Sequence, residues 1–285
     1  MEIALLRSRV LIVLAAVVSA GIGLLASRAL GVPPVDGLDI SLLNGDRPVV
    51  SLLVVAIVFV GCAVLGSFAV RRSSEEVGLF VAAVGLAVFS VRGGSISTTL
   101  RYGDGGGGGI FVKLAIELVL LYAIVAAALV VIRKVVGPGV TADPAADDDE
   151  TGSRNHHLMA VGVQAVTMAV VMFVLGHSES KKQAIIAVGV AAYLGSIAAH
   201  YTFPIQRGQW LALGPLVVGL VGYLLERSHP ALASIGLVQQ PLAIALPIDY
   251  ASAGIIGGIL GHWVSLKWAR EAAGETAVPT ATTPV

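Results

Sequence analysis

The chain has 285 residues, of which 56% are hydrophobic and only 13% charged. Soluble domains carry about 25% charged residues, so a mainly water-covered surface is excluded and lipid must cover most of the chain. Lys plus Arg equals Asp plus Glu at 18 each, which leaves no basic excess to bind nucleic acid; the partner that composition predicts is the lipid bilayer.

The mean hydropathy is +0.89, and the apolar runs are continuous over about 15–23 residues, as spanning helices require. A β-barrel would need short segments of alternating polarity. The expected fold is therefore an all-α polytopic bundle of about eight transmembrane helices. In chain order the predicted spans are Val10–Leu30, Val49–Val70, Val77–Val91 (with Leu100 as an alternative end), Ile110–Ile132, Leu158–Leu175, Gln183–Phe203, Trp210–Leu225 and Tyr250–Trp268. Arg7 and Arg9 precede the first run as they would in a signal peptide. Its length, and Arg28 close behind it, favour an uncleaved span.

The expected organisation is an N-terminal membrane half (1–132), an acidic flexible linker (133–157), a C-terminal membrane half (158–268) and a disordered Pro/Thr-rich tail (269–285). The linker, with its run Asp147–Glu150, has the composition of a solvated segment. Within the second half, 229–248 is apolar but interrupted by Pro230, Pro241 and Pro247. It reads as an interfacial or re-entrant element on the outer side, or else as a covering loop. The distribution of Lys and Arg between the loops is nearly even, and it slightly favours both termini in the cytoplasm of a bacterial inner membrane. Trp210, Trp263 and Trp268 would then lie toward the inner interface.

Small residues recur at four-residue spacing: Ser19–Gly23–Ser27, Ala191–Gly195–Ala199 and Ala253–Gly257–Gly261. Such faces let helix backbones approach closely in lipid. They suit packing within the bundle, and also a membrane-protein partner or a second copy of the chain.

The glycine run Gly105–Gly109 precedes Lys113, but the spacing and Leu114 do not match a phosphate-binding loop. Asp104 beside it lacks a second intramembrane aspartate. The run reads as a flexible connector. Cys62 is a lone cysteine in an apolar run and reads as a small core residue.

Four charged residues form the candidate site: Arg92, Lys113, Glu117 and Asp249. Arg92 lies about 22 Å along the third span at 1.5 Å per residue, and Glu117 about 10 Å below the start of the fourth. In antiparallel neighbours these depths match. An unpaired charge there costs at least about 2.5–3.5 kcal/mol, so an Arg92–Glu117 contact is expected, with Lys113 turned outward. Glu226 and Asp249 at the outer ends of the last two spans would extend a polar site.

His200 and His262 fall near the inner ends of their spans and could approach each other. Neither they nor Cys62 follow a metal-ligand spacing. Ser196 and His200 lack the nucleophile elbow of a hydrolase. No catalytic residue, cofactor or metal is predicted. The preferred reading is a non-catalytic accessory or scaffold component. The alternative is a carrier or channel for a small solute or ion, and an intramembrane enzyme is more distant. A cavity reaching Glu117 and continuing toward His200 and His262 would mark transport; a packed interior would mark a structural role.

Overall fold

The computed structural model describes residues 2–30, 41–43, 47–69, 74–102, 108–136, 150–177, 180–205, 207–228, 238 and 240–272. The protein is an all-α integral membrane bundle. Its helices are α1 (Glu2–Ala29), α2 (Pro48–Ala69), α3 (Ser74–Val91), α4 (Ile96–Tyr102), α5 (Gly108–Val136), α6 (Glu150–Leu175), α7 (Lys181–Thr202), α8 (Leu213–Glu226) and α9 (Ile255–Ala272). A 3-10 turn, Gly208–Ala212, leads into α8. The chain enters α9 through a 3-10 turn (Pro241–Ala243), one α turn (Pro247–Asp249) and a π turn (Tyr250–Gly254).

Among the described residues six helices are long and apolar enough to cross a bilayer: Ser8–Ala29, Pro48–Phe68, Gly109–Val135, Asn155–Leu175, Lys181–Thr202 and Gly208–Glu226. The other two expected spans correspond to α3, 18 residues long, and to α9 with its irregular entry. These two lie at the centre. Helix α3 packs on α1, α2 and α5 and touches the π turn and α9, while α9 lies along α7. A helix enclosed by other helices need not be apolar all round, and α3 begins with Glu75 and Glu76 in its first turn. Those acids also suit the positive end of the helix dipole. Lipid instead meets faces such as Val13, Leu14 and Val17 on α1 and Val166, Val170 and Phe173 on α6, all exposed.

The first-half helices α1, α2, α3 and α5 and the second-half helices α6, α7, α8 and α9 meet where α5 packs on α8 and α3 on the π turn. Most of the acidic linker (137–149) and of the tail (273–285) lies outside the described residues, as do Asp104 and Gly105–Gly107. Gly108 and Gly109 form the first turn of α5 rather than a connector.

Close backbone approach is visible on the last predicted small-residue face. A Cβ at Gly257 would overlap the Gly189 carbonyl oxygen and come 3.1 Å from the Tyr193 nitrogen, and one at Gly261 would overlap the Tyr193 carbonyl oxygen. This face is therefore used within the bundle, against α7. The α1–α3 contact is similar: a Cβ at Gly85 would lie 2.9 Å from the Ser19 carbonyl oxygen.

The described part of the Pro-interrupted segment is buried, from Leu242 through Ile248. Irregular backbone at this position leaves carbonyls without helical partners, and lipid offers none. Tyrosines supply them. The Tyr223 hydroxyl donates to the Ala245 carbonyl at 2.6 Å, and the Tyr250 hydroxyl donates to the Leu242 carbonyl. Gly222 on α8 makes room, since a Cβ there would lie 2.6 Å from the Leu242 oxygen.

Candidate functional site

Two buried polar clusters occupy opposite ends of the bundle. The first is centred on Asp249, in the turn that precedes α9. Its side chain is fully buried, and three donors reach it through four contacts. Lys181 Nζ, on the first residue of α7, lies 2.7 Å from Oδ1 and 2.9 Å from Oδ2. The Ser90 hydroxyl, on the last turn of α3, donates to Oδ1, and the Leu246 N–H donates to Oδ2 at 2.9 Å. Burial strengthens such pairing, because an unpaired charge in this medium is costly. The lysine stem remains along apolar surface with its side chain 13% exposed, the geometry expected when a long cation reaches inward from a helix end.

Glu117, on α5, belongs to the same end of the bundle. It is fully buried, and its Oε2 accepts the Leu43 N–H at 3.0 Å from the connection between α1 and α2. The Ser41 side chain and the Leu42 backbone also hydrogen-bond to this carboxylate. Its Oε1 is buried and has no hydrogen-bond partner among the described residues. Tyr223 lies within electrostatic reach of both Glu117 and Asp249. Tyr122 adds a long contact, its hydroxyl donating to the Tyr250 carbonyl at 3.4 Å. Glu226, also buried, accepts the Gln240 N–H at 2.8 Å and so ties α8 to the irregular segment.

The expected Arg92–Glu117 contact is not formed. Among the described residues Arg92 makes no ion pair, and its buried Nε has no hydrogen-bond partner. Equal depth on neighbouring helices does not fix the direction around each axis, and Glu117 turns toward the α1–α2 connection instead. Lys113, one turn before Glu117, is half-buried and has a polar interaction of its own. Of the four predicted residues, Asp249 is the one the structure joins to a cation, and that cation is Lys181.

The second cluster lies at the other end, around Glu76 on α3. Glu76 Oε1 accepts the Gly208 N–H at 2.7 Å, and its Oε2 accepts Trp263 Nε1–H at 2.8 Å. His262 Nε2 stands 3.8 Å from Oε1. The rings of His262 and His200 are 5.3 Å apart and nearly perpendicular, so the approach suggested by their positions does occur. Beside them the buried Gln164 amide donates to Ser196 Oγ at 2.9 Å and to the Leu211 carbonyl at 2.7 Å. At the rim, Arg133 holds Glu75 through two contacts of 3.0 and 3.2 Å and reaches Gln209 at 3.2 Å. No group of three or more His, Cys, Asp or Glu residues able to hold a metal occurs among the described residues.

Sequence reasoning missed Lys181, Ser90 and the tyrosines at the first end, and Glu76, Trp263 and Gln164 at the second. The usable signal was polar identity at a helix end: Lys181, Ser90 and Asp249 each stand within a turn of one. Between the clusters α7, the π turn and the start of α9 carry small and apolar buried residues, among them Ala187, Val188, Ala191, Ala192, Ala253 and Ile255. No family model, curated protein or solved structure matches the chain.

Proposed function

We propose that the chain is a non-catalytic component of a membrane, an accessory or scaffold subunit whose buried charges fix the arrangement of its helices. One observation carries this reading: both carboxylate oxygens of Asp249 are consumed by internal donors from α3, α7 and its own turn. A translocation site keeps some of its polar groups for the solute, whereas a clasp spends them on the protein. The glycine-mediated contact of α7 with α9 supports the same reading, because at Gly257 and Gly261 the two backbones meet with no room for even a methyl group. The location we propose is a bacterial cytoplasmic membrane with the Glu76 end inside, where Arg133, Arg207, Lys267 and Arg270 gather;. The test is affinity isolation of the full chain from its native membrane, compared between wild type and Lys181→Met/Asp249→Leu. A scaffold keeps its stoichiometric membrane partner in both forms. Recovery of the chain without one counts against the reading.

A second reading, a small-ion or small-solute carrier, is favoured by the interrupted entry to α9. Broken helices beside buried charges are a recurring feature of transporter binding sites, and π turns are frequent at functional sites. Flux measured in liposomes, lost in Asp249→Asn while insertion persists, would favour this second reading.

A further inference from the structure

We propose that the groove between α1, α2 and α3 holds part of one acyl chain of an anionic phospholipid, whose phosphate is bound by Arg28, Arg47 and Arg92. The three helices pack on one another and leave an apolar groove with about 240 Å³ of empty space, counted out to its open side. Ala26, Val55, Phe59, Leu86 and Phe89 form buried walls, and Gly85 adds no side chain. Val54 and Val58 line the groove half-buried, and Leu25, Leu53 and Ile57 next to lining residues in sequence are exposed. Every lining residue is apolar, so a polar solute entering would lose its hydration without compensation. Along α2 the lining runs from Val54 to Phe59, about 7.5 Å at 1.5 Å per residue. That length is too short to seat a membrane-crossing helix and suits a segment of one flexible hydrocarbon.

Each lining helix has an arginine at the end of the bundle where Asp249 lies. Arg28 is two residues beyond Ala26, Arg92 three beyond Phe89, and Arg47 seven before Val54. All three backbones therefore stand roughly 3–10 Å past the apolar lining along the helix axes. A phospholipid has the same order, with its phosphate beyond the hydrocarbon.

The charges at this end favour an external anion. Arg28 and Arg47 are exposed, and Arg92 is half-buried. None of the three forms an ion pair among the described residues, and the buried Nε of Arg92 has no hydrogen-bond partner among them. The described buried acids here are engaged elsewhere: Asp249 by Lys181, Glu117 by the Leu43 N–H and Glu226 by the Gln240 N–H. Asp36, Asp39, Asp46 and Asp104 lie outside the described residues, and whether they or a phosphate balance the arginines is an outcome of the test. An uncompensated guanidinium beside hydrocarbon is costly, and its planar fork matches phosphate oxygens with paired hydrogen bonds.

The probes are phosphatidylglycerol and phosphatidylcholine with identical acyl chains, offered to the full protein in detergent and read by native mass spectrometry. Wild type is expected to retain phosphatidylglycerol in preference to phosphatidylcholine. That preference is expected to fall roughly fivefold for each arginine replaced in Arg28→Gln and Arg28→Gln/Arg47→Gln. Both side chains are exposed, so helix content measured by circular dichroism should not change. Equal retention of the two lipids overturns the proposal, as does a preference unchanged in the double variant, the result expected where the connector acids neutralise the arginines. Occupancy of the groove is read in wild type with phosphatidylglycerol carrying a photoactivatable diazirine on one acyl chain. Peptide mapping is expected to find adducts at Phe59, Leu86 or Phe89. Adducts confined to other lipid-facing surfaces such as that of α6, or a dimer with the groove unlabelled, overturn the proposal.

Discussion

Lys181 Nζ grips both carboxylate oxygens of Asp249, at 2.7 and 2.9 Å, from the opening residue of α7 to the turn before α9. Ser90 adds α3 to the same point. Three helices that are distant in sequence are thus tied at one buried carboxylate, which makes this pair the most informative place to perturb the fold.

Lys181→Met is expected to destabilise the bundle by about 3–5 kcal/mol, since it strands a buried charge. The double change Lys181→Met/Asp249→Leu removes both charges and is expected to recover most of that loss. Unfolding in detergent, followed by tryptophan fluorescence, measures both. Equal damage in the single and double variants would mean that the pair is not the clasp.

Glycine substitutions should divide by location. Gly257→Ala forces a methyl group into the Gly189 carbonyl, and the added strain is expected to cost about 1–3 kcal/mol;. Gly61→Ala meets nothing within 4 Å, and exchanging glycine for alanine in a helix favours the folded form by roughly 0.5–1 kcal/mol. Thermal midpoints of the two variants should therefore move in opposite directions.

Tyr223→Phe deletes the donor to the Ala245 carbonyl. A buried acceptor left unpaired costs about 1–3 kcal/mol, and the loss should stay local. Hydrogen exchange is expected to quicken at the amides of Ala245 to Asp249 while those of α7 remain protected. Uniform exchange over both regions would contradict a local anchoring role.

Trp263→Phe keeps the ring that packs on Phe80, with centroids 5.3 Å apart, and removes only the indole N–H held by Glu76. A loss of about 1.5–3 kcal/mol is expected for a hydrogen bond to a charged group. Restoring stability with Glu76→Gln in the same chain would show that charge, rather than packing, was responsible.

The helical membrane character was legible in the apolar runs because lipid imposes length and continuity directly. That the Pro-interrupted segment is not an ordinary span was legible for a related reason: prolines prohibit one, and burial of its described part then requires side-chain donors. Pairing was not legible. Depth along a helix follows from counting residues, so Glu117 and Asp249 could be recognised as charges near one end. Direction around the axis depends on helix rotation and neighbour order, which residue counting does not supply. The expected partner of Glu117 was Arg92, yet the carboxylate turned to the Leu43 N–H, a backbone donor without a sequence signature. Lys181 read as a loop residue because its Cα sits at the helix start, while its long stem carries the ammonium inward.

The separation of these partners along the chain has a consequence for biogenesis. Asp249 lies 159 residues after Ser90 and 68 after Lys181. As the chain emerges, α7 must enter the membrane with its lysine uncompensated, and it stays so until the turn before α9 arrives. A chain interrupted ahead of Asp249 would leave that ammonium without its carboxylate. The last segment to be synthesised therefore completes the bundle, because only then does Lys181 meet its carboxylate.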